Sequence, residues 1–270
     1  MAKAPRRTNA SRRAAAHTSP NRGYGWIPDL PDQRDHLYSA PIPFLVALPA
    51  KADLRAQCPP VYDQGQLGSC TANAIGGAIE FDQMKERLPQ VFIPSRLFIY
   101  YNERAMEGTV RSDSGAMIRD GVKSVAKQGV CPEPLWPYVL SKFAARPPQA
   151  CYTEAARHTA VSYQRLIQSL SQMKGCLASG YPFVFGFTVY ESFESSTVAR
   201  TGHAPMPGSR EQVLGGHAVL AVGYDDSQQW FICRNSWGDK WGLRGYFTIP
   251  YTYLTDSDLA SDIWTIRVVQ

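Results

Sequence analysis

Two hydrophobic periods divide this chain, and their order limits the folds open to it. From Cys70 onward, Ala72, Ile75 and Ile79 share one helical face, with Ala74, Ala78 and Phe81 beside it. That is the wide apolar stripe of a buried helix. Gly76 and Gly77 weaken its intrinsic propensity, which predicts close packing against other backbone. Ser95–Arg104 and Met117–Lys127 follow the same period, and Gly129 marks a stop for the second. Beyond about Ala160 one further helix is expected near Tyr163–Lys174, and the pattern then changes. PFVFGFTV (182–189), HAVLAVGY (217–224), WFIC (230–233), GYFTI (245–249) and IWTIRVV (263–269) are apolar, partly β-branched runs separated by turn residues. They predict an antiparallel sheet or barrel. A helical part followed by a strand-rich part implies two lobes of an α+β fold, residues 50–160 and 161–270. The 270 residues suffice for two substantial cores.

The N-terminal stretch is different. Residues 1–22 hold six basic side chains (Lys3, Arg6, Arg7, Arg12, Arg13, Arg22) and no acidic one. The rest of the chain is then close to neutral, with 22 basic and 23 acidic residues, so overall charge says little about a ligand. No apolar run reaches membrane-spanning length, and the basic stretch lacks the apolar core of a secretory signal. Its composition fits a solvated, disordered leader; a transit peptide, or an arm binding nucleic acid or anionic lipid, is the alternative. Residues 23–49 carry five prolines among several aromatics. Proline stops helices and removes ladder donors, so an extended segment lying on the body is expected.

Three motifs carry chemistry. Cys70 follows a Gly-Ser turn and opens a helix, where unpaired N–H groups and the helix dipole favour a thiolate. A lone cysteine there is more often a small buried hydrophobe, but Asp63-Gln64-Gly65-Gln66-Leu67-Gly68-Ser69 precedes it. Far downstream, Gly215-Gly216-His217 opens an apolar strand, and the paired glycines leave room beside the imidazole. The third is Arg234-Asn235-Ser236-Trp237-Gly238, continuing to Trp241-Gly242 and Gly245-Tyr246. Of the six cysteines (58, 70, 131, 151, 176, 233) none forms a CxxC pair, which argues against zinc or thioredoxin-type sites.

In this order and spacing the motifs resemble the papain family of cysteine peptidases. The resemblance covers roughly Leu48–Gln270 and implies a papain-like two-lobed fold, with a helical left lobe, an antiparallel β-barrel-like right lobe and the cleft between them. It implies Cys70 as nucleophile, His217 as its base, Asn235 orienting the imidazole under the cover of Trp237, and Gln64 with the Cys70 N–H as the oxyanion hole. Two fixed donors there would hold the negative oxygen of a tetrahedral intermediate. Peptide hydrolysis would run through a Cys70 thioester, without metal or organic cofactor. Ser114, Gly115 and Ala116 resemble the segment that pairs with substrate backbone. Gly215 and Gly216 should border the pocket for the second residue before the scissile bond. The acidic stretch Asp256, Asp258 and Asp262 either approaches that pocket or is a solvated loop.

The sequence also departs from the family. Leu67 stands where many members carry a bridged cysteine, and Thr71 replaces a common tryptophan. Cys58, Cys131 and Cys151 are left as candidates for another bridge. Instead of a long helical pro-domain, only a short proline-rich segment precedes the mature-like start, as in some bacterial members. Residues 23–49 are expected either to occupy the cleft and hold the enzyme latent or to strap the body permanently. The expected partners are peptide or protein substrates and the chain's own N-terminal segment. A binding-only scaffold and a cysteine amidase or acyltransferase on non-peptide amides are the alternative functions.

Overall fold

The computed structural model describes residues 23–159 and 161–268. The basic stretch 1–22, and with it any binding by that stretch, lies outside the described residues. Proline governs the first described segment. Short strands β1 (Trp26–Ile27) and β2 (Leu37–Tyr38) are separated by turns. A one-turn helix, α1 (Ile42–Val46), departs from the extended conformation expected there. Its proline lies in the first turn, where a missing N–H costs nothing. Strand β3 (Lys51–Asp53) completes the segment.

Four helices and one strand follow: α2 (Cys70–Lys85), α3 (Arg96–Glu107), β4 (Ala116–Met117), α4 (Ile118–Gln128) and α5 (Gln149–Ala155). Helix α2 is buried from Cys70 through Gln83, as expected of a helix apolar nearly all round. Gly77 meets a side chain rather than backbone: a Cβ there would sit 2.5 Å from Nη1 of the buried Arg234. Ser95 caps α3 by accepting the Phe98 N–H at 3.2 Å, and Gly108 and Gly129 end α3 and α4 at φ 74° and 75°.

From residue 161 strands dominate: β5 (Val161–Leu166), β6 (Phe183–Tyr190), β7 (Val213–Asp225), β8 (Trp230–Arg234), β9 (Tyr246–Pro250) and β10 (Ala260–Val268). Short helices α6 (Leu170–Ala178), α7 (Ser196–Thr201) and α8 (Tyr251–Thr255) interrupt them. The helix expected over 163–174 is instead the end of β5 followed by α6. Five residues of β5 pair with β10, and Ser169 starts the helix by capping Gln172. Cross-strand pairing overrides the weak helical period there.

The sheet runs β2-β5-β10-β6-β7-β8-β9, with β3 added beside β7. Among the described residues, β2 and β5 are the one parallel strand pair within this sheet, and the sheet stays open rather than closing into a barrel. Its core is aromatic: Phe183, Phe185, Phe187, Phe231, Phe247 and Trp264 are fully buried. Helix α2 packs on β7 and β10 and also on α3 and α4. The start of α2 is therefore held against the strand that carries His217.

Candidate active site

Cys70 is the first residue of α2 and has no solvent exposure. Backbone N–H groups of Ala218, Gly25 and Thr71 approach its sulfur and favour the thiolate, but burial outweighs them. The thiol is pushed up to about 12, because a charge without water is costly.

His217 stands on β7 opposite Phe187 of β6 and is fully buried. Its Nε2 is 2.8 Å from Asn235 Oδ1, which also accepts the Ser236 N–H at 2.9 Å. An amide oxygen accepts only, so it holds the proton on Nε2 and leaves Nδ1 for exchange. Trp237 stacks on the imidazole at 4.8 Å and 25°, and Trp241 and Phe193 both pack edge-on against Trp237. The aromatic cover keeps water from the His217–Asn235 bond. Strand pairing brings these groups together, since β7 and β8 align Leu220 with Arg234, one residue before Asn235.

Gln64 is buried, and both ends of its side-chain amide are hydrogen-bonded. Its Oε1 accepts from Ser236 Oγ at 2.5 Å, and its Nε2 donates to the Leu67 carbonyl at 2.8 Å and the Gly23 carbonyl at 2.9 Å. Ser236 was not singled out from the sequence, although it lies between Asn235 and Trp237. Tyr138 was missed as well. Its hydroxyl is 2.5 Å from Ser69 Oγ and donates to the Gln64 carbonyl at 3.1 Å. Nothing in its local sequence signals that role.

Residues 23–29 run through the cleft. The Gly25 N–H donates to the Gly216 carbonyl at 3.1 Å, and the Gly25 carbonyl accepts from Ala116 at 2.8 Å. Strand β1 thereby pairs in parallel with β4. Glycine permits this approach, because a Cβ on Gly25 or Gly115 would overlap backbone across the cleft. Tyr24 lies edge-on to His217 and Trp237, and its hydroxyl donates to Glu194. A side chain on Gly215 would strike Tyr24, and one on Gly216 would strike Trp26. Of the expected substrate-pairing residues, Gly115 and Ala116 touch this segment. Ser114 is exposed, its hydroxyl 3.2 Å from the Gly115 carbonyl.

Trp26 fills a slot beside Gly186 and Gly216, and its Nε1 donates to Asp262 Oδ2 at 3.1 Å. The Asp29 N–H donates to the same oxygen at 2.7 Å. Asp29 in turn accepts from the Arg119 N–H at 3.0 Å and Trp264 Nε1 at 2.8 Å. Arg119 and Arg165 both pair with the buried Asp35. The solvated-loop alternative thus holds for Asp256 and Asp258, which are exposed, and fails for Asp262, which is buried at an irregularity in β10. Burial and mutual repulsion raise Asp29 to about 6, and burial raises Asp262. Among the described residues no group of three or more His, Cys, Asp or Glu side chains is arranged to hold a metal ion, and no helix is long and apolar enough to cross a membrane.

Residues 48–263 match the family model described as papain family cysteine protease. An uncharacterized peptidase C1-like protein of Acanthamoeba polyphaga mimivirus is 43% identical over 92% of this chain and 88% of its own length. Among solved structures, xylellain, a cysteine protease from Xylella fastidiosa, is 46% identical with a TM-score of 0.88. The match covers 93% of this chain and 97% of that one. Procathepsin L 3 of the Tenebrio molitor larval midgut, at 20% identity and a TM-score of 0.68, covers 92% and 76% and shares the fold.

Proposed function

The chain belongs to the papain family of cysteine proteases, and from that premise we propose that it is a latent endopeptidase with Cys70 as nucleophile and residues 23–29 as its own cleft-filling inhibitor. The observation that carries the proposal is that Cys70, at the start of α2, meets the Ala218 N–H, next in chain to His217, which Asn235 holds at 2.8 Å under Trp237. In the working enzyme His217 Nδ1 takes the Cys70 proton, and the thiolate attacks a peptide carbonyl. The Gln64 amide and the Cys70 N–H hold the oxyanion, and His217 then protonates the leaving amine. Water activated by the same imidazole hydrolyses the thioester.

Latency is supported by what meets the catalytic groups. Cys70 faces the Gly25 N–H, a donor, where a substrate presents a carbonyl carbon. Gln64 Nε2 is occupied by the Gly23 carbonyl, and Tyr24 stands against His217. The rest of the segment has a different part to play. Residues 35–53 are stitched into the body through β2 on β5, β3 on β7, and the ion pairs of Asp35. The inhibitory element therefore ends near Asp29, and the strap proper begins after it.

The test is hydrolysis of an unfolded protein substrate by the full chain and by a chain starting at Leu30. A strong gain on deletion, abolished by Cys70→Ala, supports the proposal; equal activity overturns latency. Labelling of Cys70 by a peptidyl epoxide separates an enzyme from a binding scaffold. Cleavage of a peptide library separates a peptidase from an amidase acting on other amides.

A further inference from the structure

Cys131 and Cys151 are fully buried thiols that the proposed mechanism does not use. Cys131 follows α4, Cys151 lies in α5, and the two thiols are close enough to interact, while Cys151 Sγ also donates to the Leu135 carbonyl at 3.7 Å. Cys58, the third candidate from the sequence, is elsewhere: its sulfur donates to the Leu54 carbonyl at 3.4 Å and it neighbours Tyr246.

The segment between the two cysteines needs support. Its regular structure before α5 is two 3₁₀ turns, Glu133–Leu135 and Leu140–Lys142, and Leu135, Val139 and Leu140 are exposed. Long connections of this kind are held by the contacts they make, and here the contacts reach the catalytic turn. Glu133 forks onto Arg96 at 2.8 and 2.5 Å, and Arg96 in turn donates to the Asp63 carbonyl at 3.3 Å and Asn73 Oδ1 at 3.2 Å. Tyr138 touches Ser69 and Gln64, and Leu140 covers Gly65. The segment is the outer wall of the turn that carries Gln64 and leads into Cys70.

The geometry points to Cys131 and Cys151 as a disulfide-forming pair that staples this wall shut. The oxidant is a small-molecule disulfide of the glutathione class. One cysteine thiolate attacks an oxidant sulfur and expels a thiolate; the second cysteine, losing its proton, attacks the mixed disulfide and expels the other. Two protein thiols are oxidised to one S–S bond, and the oxidant disulfide is reduced to two thiols. Burial pushes the Cys131 thiol up and excludes the oxidant. Exchange is therefore slow in the folded chain and fast while residues 131–151 are still open. Closure of a loop of about 20 residues in the unfolded chain raises the melting temperature by roughly 6 to 12 °C. The effect on the oxyanion side rests on the reading of Gln64 given above; the linkage itself does not.

The experiment unfolds the full chain, refolds it with oxidised and reduced glutathione, blocks residual thiols, and maps the digest by mass. The expected product is one pair of peptides joined through Cys131 and Cys151, two hydrogens lighter than the thiol forms. Its melting temperature falls to that of the reduced chain on reduction. Cys131→Ser or Cys151→Ser should each remove both the joined peptide and the gain; if either fails to refold, mapping of the unaltered chain decides. Full alkylation of both cysteines after oxidative refolding overturns the proposal. Pairing of either with Cys58, or a bridge that leaves the melting temperature unchanged or lower, also overturns it.

Discussion

The side-chain amide of Gln64 donates to the main-chain carbonyl of Gly23, 41 residues earlier, at 2.9 Å. A donor suited to a reaction's oxyanion is thus engaged by the chain's own N-terminal segment. Its other end is fixed by Ser236, so the donor is preorganised whether or not the cleft is filled.

Removal of residues 1–29 is expected to raise kcat/KM on a protein substrate by about 100-fold or more, since a tethered occupant competes at millimolar effective concentration. Trp26→Ala in the full chain should give part of this gain, because the slot beside Gly186 and the bond to Asp262 anchor the segment. Steady-state assays of the three proteins check it; Trp26→Ala activity equal to that of the full chain would count against this anchor.

Closure should be tightest in mild acid. Asp29 and Asp262 face each other across the closed clasp, with Arg119, Arg165, Asp35 and Trp264 around them, and both carboxyls are raised, Asp29 to about 6. A group whose closed-state pKa lies above its open-state value favours closure fully below the ordinary carboxylate range, and that contribution is lost as pH rises through about 6. Full-chain activity relative to the chain lacking 1–29 should therefore climb between about pH 4 and pH 6 and level off above it. Asp262→Asn should flatten that climb.

Alkylation of Cys70 by iodoacetamide reports the same burial. In the full chain the thiol is pushed up to about 12 because no water reaches it. Deleting residues 1–29 admits water beside the imidazole, so the pH at which alkylation is half-maximal should fall by several units. A profile that does not move would show that the segment is not what desolvates the sulfur.

Gln64→Ala in the uncovered enzyme is expected to lower kcat by about 100- to 1,000-fold, the usual effect of losing one oxyanion donor. Ser236→Ala leaves the donor in place and frees its rotation, so its loss should be nearer 10-fold, on the order of one neutral hydrogen bond. KM should change little in either, and the order of the two losses is the measured quantity.

Gly77→Ala tests the packing of α2 against β8. Its new Cβ would lie 2.5 Å from Arg234 Nη1, and Arg234 is held over Tyr62 and to the Pro60 carbonyl. Overpacking of this kind costs about 1–3 kcal/mol. Thermal or urea unfolding should show the loss, whereas Gly108→Ala, with open space but a φ of 74°, should cost less.

Periodicity and motif order were enough to place Cys70 on a buried helix, His217 and Asn235 on strand-rich chain far downstream, and the change of class near residue 160. These are local properties: a wide apolar stripe or a β-branched run constrains its own backbone, and a reactive group needs particular neighbours in the chain. The segment near 163–174 was not legible, because β5 exists through pairing with β2 and β10, far away in sequence. Nor was Tyr138 or Arg234, whose partners are set by packing alone. Asp262 shows the same division. In sequence it is one of several acids in a polar turn, whereas in the fold it is a buried acceptor for Trp26 and Asp29, more than 230 residues away. Residue type and motif spacing are enough to name the candidate reactive groups. Which of them are brought together, and that Gly23–Asp29 lies across them, depends on packing between distant segments, since a cleft exists only once α2 has packed against β7.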